Sequence, residues 1–393
     1  MAEPVTQPSL RAAAGAEAER LLEDASRKKN WKRWGPYLAE RQWGTVREDY
    51  SPTGECWDYF PHDHARSRAY RWGEDGLLGF TDRECRVCFA VALWNGRDPI
   101  LKERLFGLSG PEGNHGEDVK EEYYYLDSTP THSYARALYK YPQAEFPYAK
   151  LVEENRQRGR AEPEFELVDT GVFKESRYFD VFVEYAKRTP NDILIQLTAL
   201  NRGPEKAALH LLPTIWFRNT WTWGCSYEGC SLKPRLELER AGRLSLQHET
   251  LGKYFFEFAA DAQGKPPEVL FTDNESNFMR LFNAPNGNPH VKDAFHEYLI
   301  HGHKDAVNPK NFGTKAAPHY LVELNPGESL SLRFRLYSSD EAPPQSDPAS
   351  FDKIFDLRIR EANEFYANVT SQKLTDAERN IVRQGYAGLL WNK

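Results

Sequence analysis

The chain has 393 residues, a formal net charge of -7 and 28% charged side chains, so it carries no electrostatic footprint for nucleic acid or for an acidic membrane surface. Hydrophobic residues make up 40% and aromatic residues 13%, which excludes a disordered chain and points to a large core with stacking surfaces. The apolar runs, such as Cys88 to Trp94, are too short to span a bilayer.

The opening MAEPVTQPSLRAAAGAEAERLLEDASRKKN has no apolar h-region, because Arg11, Glu17, Glu19 and Arg20 interrupt its alanines. The five cysteines are an odd number, which fits a reducing cytoplasm and free thiols better than a disulfide framework. A cytoplasmic protein is therefore expected. Ala18, Leu21, Leu22 and Ala25 recur at helical spacing and predict a helix over 16–29, within an N-terminal unit of residues 1–30.

The stretch from Trp31 to Gly76 is the most informative part of the chain. Trp43, Tyr50, Trp57, Tyr59, Tyr70 and Trp72 alternate there with Arg47, Glu48, Asp49, Asp58, Asp63, Arg66, Arg68, Arg71, Glu74 and Asp75. Flat apolar faces beside hydrogen-bonding groups of both signs suit a sugar, whose ring stacks on an aromatic face while its hydroxyls take donors and acceptors. Nucleic acid would want the arginines without the carboxylates. The candidate sugar-binding residues are Trp43, Arg47, Asp49, Tyr50, Asp58, His62, Asp63, His64, Arg66, Arg68, Tyr70, Trp72, Glu74 and Asp75. Arg66, Arg68, Glu74 and Asp75 serve equally as partners in buried salt bridges that pin the segment. His62-Asp63-His64 would place two histidines on one face of a strand, but the flanking arginines oppose a metal ion there.

From Arg83 to about Tyr337 short β runs alternate with turn residues: RVCFAVALWN, ILKERLFGL, VKEEYYYLD, YFDVFVEYAK, DILIQLTALNRG, AALHLLPTIWF, LSLQHETLGKYFFEFAA, EVLFTD and HYLVELNPGESLSLRFRLYSS. Asn325-Pro326-Gly327 is a turn between two of them. Cys85 and Cys88 form a CxxC with Cys225 and Cys230 far downstream, but no turn glycine supports a four-cysteine zinc site. The charged run 151–166 predicts a helix followed by a surface loop. Trp216, Trp221 and Trp223, with Arg218 and Asn219, fit core or interface packing or direct stacking on a sugar. The polar runs Gly113–Asp118 and Asp127–Tyr134 are expected at an edge of the sheets.

His301-Gly-His303 with Asp305 is a possible ligand set, and His296-Glu297 falls short of a zincin helix because Ile300 stands where the second histidine belongs. Asn308 to Lys315 lacks the glycine spacing of a phosphate-cradling loop. No metal and no cofactor is expected. After the breaker-rich EAPPQSDPAS, Phe351, Ile354, Phe355, Ile359, Ala362 and Phe365 predict a helix, and Thr375 with Glu378 forms the capping box of a second. That helix carries Ile381, Val382, Tyr386, Leu389, Leu390 and Trp391 and expects something to pack on.

ERQWGTVREDYS, WDYFPHDHARSRAYRWGEDG, the run from Asn95 to Tyr134, LPTIWFRNTWTWG and DAVNPKNFGTKAAPHY resemble bacterial proteins related to glycoside hydrolase family 63, the processing mannosyl-oligosaccharide glucosidases. The resemblance implies an N-terminal β-sandwich packed on a C-terminal (α/α)6 barrel and hydrolysis of α-glycosidic bonds with inversion. The expected fold is thus mainly β: a large antiparallel, mutarotase-like super-sandwich at 31–340, then a linker and first helices at 341–393 leading into a barrel that the chain does not reach.

Inversion needs an acid and a base roughly 6.5 to 9.5 Å apart, and the resemblance implies that both belong to the barrel. No catalytic residue is assigned to this chain. The expected partners are an oligosaccharide or small glycoside and the chain's own (α/α)6 barrel, with no nucleic acid and no membrane. The alternatives are a self-standing carbohydrate-binding protein and a mutarotase-like epimerase in which His62, His64 and Glu74 would converge.

Overall fold

The computed structural model describes residues 15–40, 61–70, 73–108, 118–224, 229–261, 263–341 and 348–392. Two antiparallel sheets dominate. One has six strands in the order β1 (Trp34–Gly35), β2 (Leu77–Asp82), β3 (Val87–Trp94), β10 (Ala207–Phe217), β16 (Lys315–Leu324) and β14 (Glu268–Thr272). The other has nine: β15 (Phe312–Gly313), β11 (Arg235–Arg240), β12 (Arg243–His248), β13 (Gly252–Phe258), β17 (Ser329–Ser338), β9 (Asp192–Asn201), β8 (Tyr178–Thr189), β7 (Tyr134–Pro142) and β6 (Tyr123–Ser128). β4 (Gly107–Leu108) and β5 (Asp118–Val119) form a separate ribbon.

The two large sheets share one core. Phe80, Phe89, Leu211, Ile215 and Phe217 of the smaller sheet and Val183, Tyr185, Ile195, Phe256 and Phe334 of the larger are all buried in it. Phe80 stacks on Tyr185 at 4.4 Å and Phe89 meets Phe256 at 5.8 Å, which fastens the sheets face to face. Full burial of each such side chain contributes about 1.5–3 kcal/mol. The mainly β, two-sheet architecture is the expected one.

Two prolines lie inside the smaller sheet. The β10–β16 ladder is interrupted between Leu211↔Tyr320 and Ile215↔Ala316, and Pro213 and Pro318 fall within that gap. They face each other in that register, and the ladder lapses there because neither has an N–H to donate, while each strand stays paired on its other side.

Several local expectations change. Tyr134–Pro142 is a full strand, and the single run 244–260 is two strands joined by a turn around Glu249 to Leu251. His62–Ala65 is a helical turn rather than a strand, because Pro61 supplies an extended N-cap and the chain then turns back on itself.

Among the described residues the α-helices are α1 (Ala16–Ala25), α2 (His62–Ala65), α3 (Tyr148–Gln157), α4 (Phe278–Phe282), α5 (Ala294–Leu299), α6 (Pro348–Val369) and α7 (Asp376–Trp391). The α7 capping box forms as expected: Thr375 Oγ1 accepts from Glu378 N at 3.3 Å, and Thr375 N donates to Glu378 Oε2 at 2.7 Å. Asp127 to Ser133 runs from the edge strand β6, as expected, and clamps these helices. Glu17 of α1 accepts from Thr131 N, Thr131 Oγ1 and Ser133 Oγ, each at 2.7 Å. Among the described residues, no helix is long and apolar enough to cross a membrane.

Cys85 and Cys88 are free, their sulfurs 3.4 Å apart. Cys230 is disulfide-bonded, against the expectation of free thiols throughout. Counting cysteines could not anticipate this, since a pairing depends on which sulfurs the folded backbone brings together.

Candidate functional site

Of the sequence-predicted residues, Trp43, Arg47, Asp49, Tyr50, Asp58 and Trp72 lie outside the described residues. The others fall into a surface ledge and a buried brace beneath it.

The ledge is built from α2 and α4, which are remote in sequence. Asp63, 58% exposed, accepts from Arg66 Nη1 and Arg280 Nη2, both at 2.7 Å. Arg280 Nη1 also reaches the Asp63 carbonyl at 3.2 Å, so α4 is tied to α2 through both side chain and backbone. α4 presents Phe278, Met279 and Phe282 to solvent, 47%, 51% and 51% exposed, with the two phenylalanine rings 5.6 Å apart. The buried Arg68 guanidinium lies 5.6 Å from the Phe282 ring. Apolar faces and groups of both signs thus meet on one surface. Burial lowers the pKa of His64, and the nearby Arg280, Arg68 and Arg66 add to this, whereas Asp63 opposes it.

Beneath the ledge the chain is stitched to the connection between β14 and β16. Ser67 Oγ donates to Asp293 Oδ2 at 2.5 Å, Ala69 N to Ser276 Oγ at 2.8 Å, and Lys292 Nζ to the Arg68 carbonyl at 2.8 Å. Tyr70, Glu74 and Asp75 are buried. Tyr70 Oη donates to Asp75 at 2.9 Å, and Arg104 lies 3.3 Å from the same carboxylate. Glu74 accepts from Asn274 Nδ2 at 2.7 Å and has Lys292 Nζ 3.9 Å away. Burial raises the pKa of Glu74 and of Asp75, with Lys292 and Arg104 respectively the chief opposing charges. The same burial brings Lys292 down to about 8.

These geometries divide the predicted set. Asp63 is exposed and His64 half-buried, whereas Tyr70, Glu74 and Asp75 are committed to internal partners. His62 packs between Phe106 at 5.1 Å and Tyr148 at 5.8 Å, and its burial, with Lys102, Arg104 and Arg66 nearby, keeps it well below the ordinary histidine range. His62 and Glu74 are held by separate partners.

Trp216 is buried beside Leu38, Cys88 and Ala90, while Trp221 and Trp223 are partly exposed and donate to Glu275 and to the Asn219 carbonyl, each at 2.8 Å. Gly79 shows how closely β2 is covered: a Cβ there would stand 2.1 Å from Leu38 Cδ2.

Sequence reasoning missed Arg104, Asn274, Arg280, Lys292, Asp293 and the exposed phenylalanines of α4. The one available signal was the polar run Asp273–Asn277 breaking an apolar strand before FMRLF. Asn274, in an Asn-x-Ser match, is fully buried and serves the brace.

No protein-family model matches the chain. It is 45% identical over 419 aligned residues to the uncharacterized protein YMR196W of Saccharomyces cerevisiae, with 96% of this chain covered. The chain spans 38% of that protein's length. Among solved structures it is similar to the polysaccharide lyase BACCELL_00875, with a TM-score of 0.31 and 10% identity over 70% of this chain and 27% of that one. It is also similar to a protein described as an aldose 1-epimerase of Escherichia coli K12, with a TM-score of 0.26 and 9% identity over 54% and 67% of the two chains. A third likeness is to the 4-alpha-glucanotransferase of Thermococcus litoralis, with a TM-score of 0.25 and 11% identity over 74% and 32%. Scores this low leave the architecture to be read from the chain's own sheets.

Proposed function

We propose that this chain is the β-sandwich portion of a carbohydrate-active enzyme, an inverting α-glucosidase similar to glycoside hydrolase family 63, and that it lends a sugar-facing ledge to a catalytic unit outside these residues. The observation that carries the reading is the juxtaposition of α2 and α4. Phe278 and Phe282 offer exposed rings beside Asp63, His64 and Arg280, the combination of stacking faces and mixed-sign hydrogen-bonding groups that a pyranose uses.

In this reading Glu74 and Asp75 are positioning residues. Both are enclosed and engaged, Glu74 by Asn274 and Lys292 and Asp75 by Tyr70 and Arg104. A carboxyl that protonates a leaving group must reach the glycosidic oxygen, and these two hold the ledge in place instead. The acid and base come from the remainder of the longer protein. The family resemblance of the sequence supports this division, as does the greater length of the yeast relative.

The test compares this chain with the full-length yeast relative on aryl α-glucosides and gluco-oligosaccharides, following the product anomer by NMR. The expected result is turnover with inversion by the full-length protein and none by residues 1 to 393. Robust turnover by this chain alone, abolished by a carboxylate substitution within it, overturns the assignment. Sugar binding without turnover by either protein would make it a carbohydrate-binding module.

A further inference from the structure

Gly302 follows α5 at a φ of +73°, a conformation natural to glycine, and reverses the chain so that His303 N donates to the Glu297 carbonyl at 3.0 Å. This turn brings two imidazoles onto one carboxylate: His301 Nδ1 and His303 Nδ1 lie 2.9 and 3.0 Å from Glu297 Oε2. His296 packs edge-on against the His301 ring at 4.9 Å, and ligand atoms of His296, Glu297 and His301 lie within 4.8 Å of one another. The Leu101 N–H donates to His296 Nδ1 at 3.3 Å, which leaves the proton on Nε2 and makes His296 a support for the cluster.

We propose that Glu297, His301 and His303 bind a zinc-class divalent metal ion at the end of α5. A metal held at about 2.0–2.2 Å by nitrogen and oxygen separates its ligand atoms by roughly 3.3 Å in a tetrahedron, so the two Nδ1–Glu297 distances of 2.9 and 3.0 Å each need only a few tenths of an ångström of adjustment. Each imidazole would pass its Nδ1 proton to its own Nε2, and the metal would replace the two hydrogen bonds to Glu297. Two imidazoles and one carboxylate favour zinc, cobalt or nickel over magnesium or calcium. The side chains of His301, His303 and Glu297 are 48%, 62% and 25% exposed, so an ion can enter and water can complete its shell. The sequence pattern offered His301 and His303 with Asp305, and the fold supplies Glu297 as their shared carboxylate instead.

Titration of the untagged, chelator-treated chain with Co(II), followed by Zn(II), tests the site. The expected result is one equivalent of Co(II) with visible absorption of low-coordinate cobalt, displaced by Zn(II), and a rise in Tm on loading. Glu297→Gln and His303→Ala should each weaken binding about tenfold or more. His319→Ala should leave it unchanged, which separates this site from the His210–His319 pair, whose ring nitrogens lie 2.7 Å apart. Absence of stoichiometric binding, wild-type affinity in both cluster variants, or loss only in His319→Ala overturns the proposal.

Discussion

Lys292 Nζ stands 3.9 Å from the Glu74 carboxylate and 3.9 Å from the Tyr70 ring centroid, so one ammonium group ties the end of the ledge segment to the connection between β14 and β16. Both charged side chains are buried, and removing one leaves the other uncompensated in a low-dielectric site. Lys292→Ala should therefore cost about 3–5 kcal/mol. The double substitution Lys292→Met with Glu74→Gln should cost clearly less than Lys292→Ala alone. Urea unfolding of the variants measures this, and a Lys292→Ala loss below about 1 kcal/mol would show that the segment is fastened elsewhere.

Glu40 predicts a pH dependence. Burial raises its pKa to about 7 from 4.5, against the hydrogen bonds from Tyr125 and the Leu78 N–H. The folded state therefore keeps a proton that the unfolded chain releases between those values. This contribution to stability is fully present below about pH 4.5 and is lost as pH rises through about 7. Wild type should lose up to about 3 kcal/mol relative to Glu40→Gln over that interval. Melting curves of the two proteins from pH 4 to 8 should diverge, and parallel profiles would falsify this assignment.

Trp391 is the anchor of α7. It stacks on Tyr125 at 5.1 Å and 16°, and its Nε1 donates to the Asp127 carbonyl at 3.1 Å, while Arg383 forks onto the Asp127 carboxylate. Truncating such a buried aromatic costs about 3–5 kcal/mol. In Trp391→Ala, hydrogen exchange should accelerate across α7 and stay slow in β8 and β9. Unchanged protection in α7 would show that Arg383 suffices.

The ledge should separate binding from stability. Phe278→Ala and Phe282→Ala remove half-exposed rings, so Tm should hold while oligosaccharide binding by the full-length protein weakens about fivefold to tenfold, equivalent to about 1–1.4 kcal/mol. Arg68→Ala should instead lower Tm, because this residue is only 8% exposed and its neighbourhood is packed. If the phenylalanine variants melt early and bind normally, α4 is structural.

The paired sheets were legible because their signal is local. Runs such as YFDVFVEYAK and DILIQLTALN are dense in β-branched and aromatic residues, and their burial patterns follow. The α7 start was equally plain, since Thr375 and Glu378 satisfy each other across three residues whatever lies around them. The same local reading failed at His62–Ala65, where Pro61 and contacts with α4 override the strand-like spacing.

Composition and short-range patterning thus decided that this chain builds antiparallel sheets bounded by helices, and they marked segment 31–76 as dense in aromatic and charged residues. Which of those residues reach the surface was decided only by the fold. Asp63 and Glu74 are both carboxylates in the same segment, yet one lies on the surface against Arg280 and the other is buried against Asn274 and Lys292. Burial and pairing depend on residues some two hundred positions away, and free energies of desolvation and charge pairing are set by those distant partners, not by neighbours in sequence.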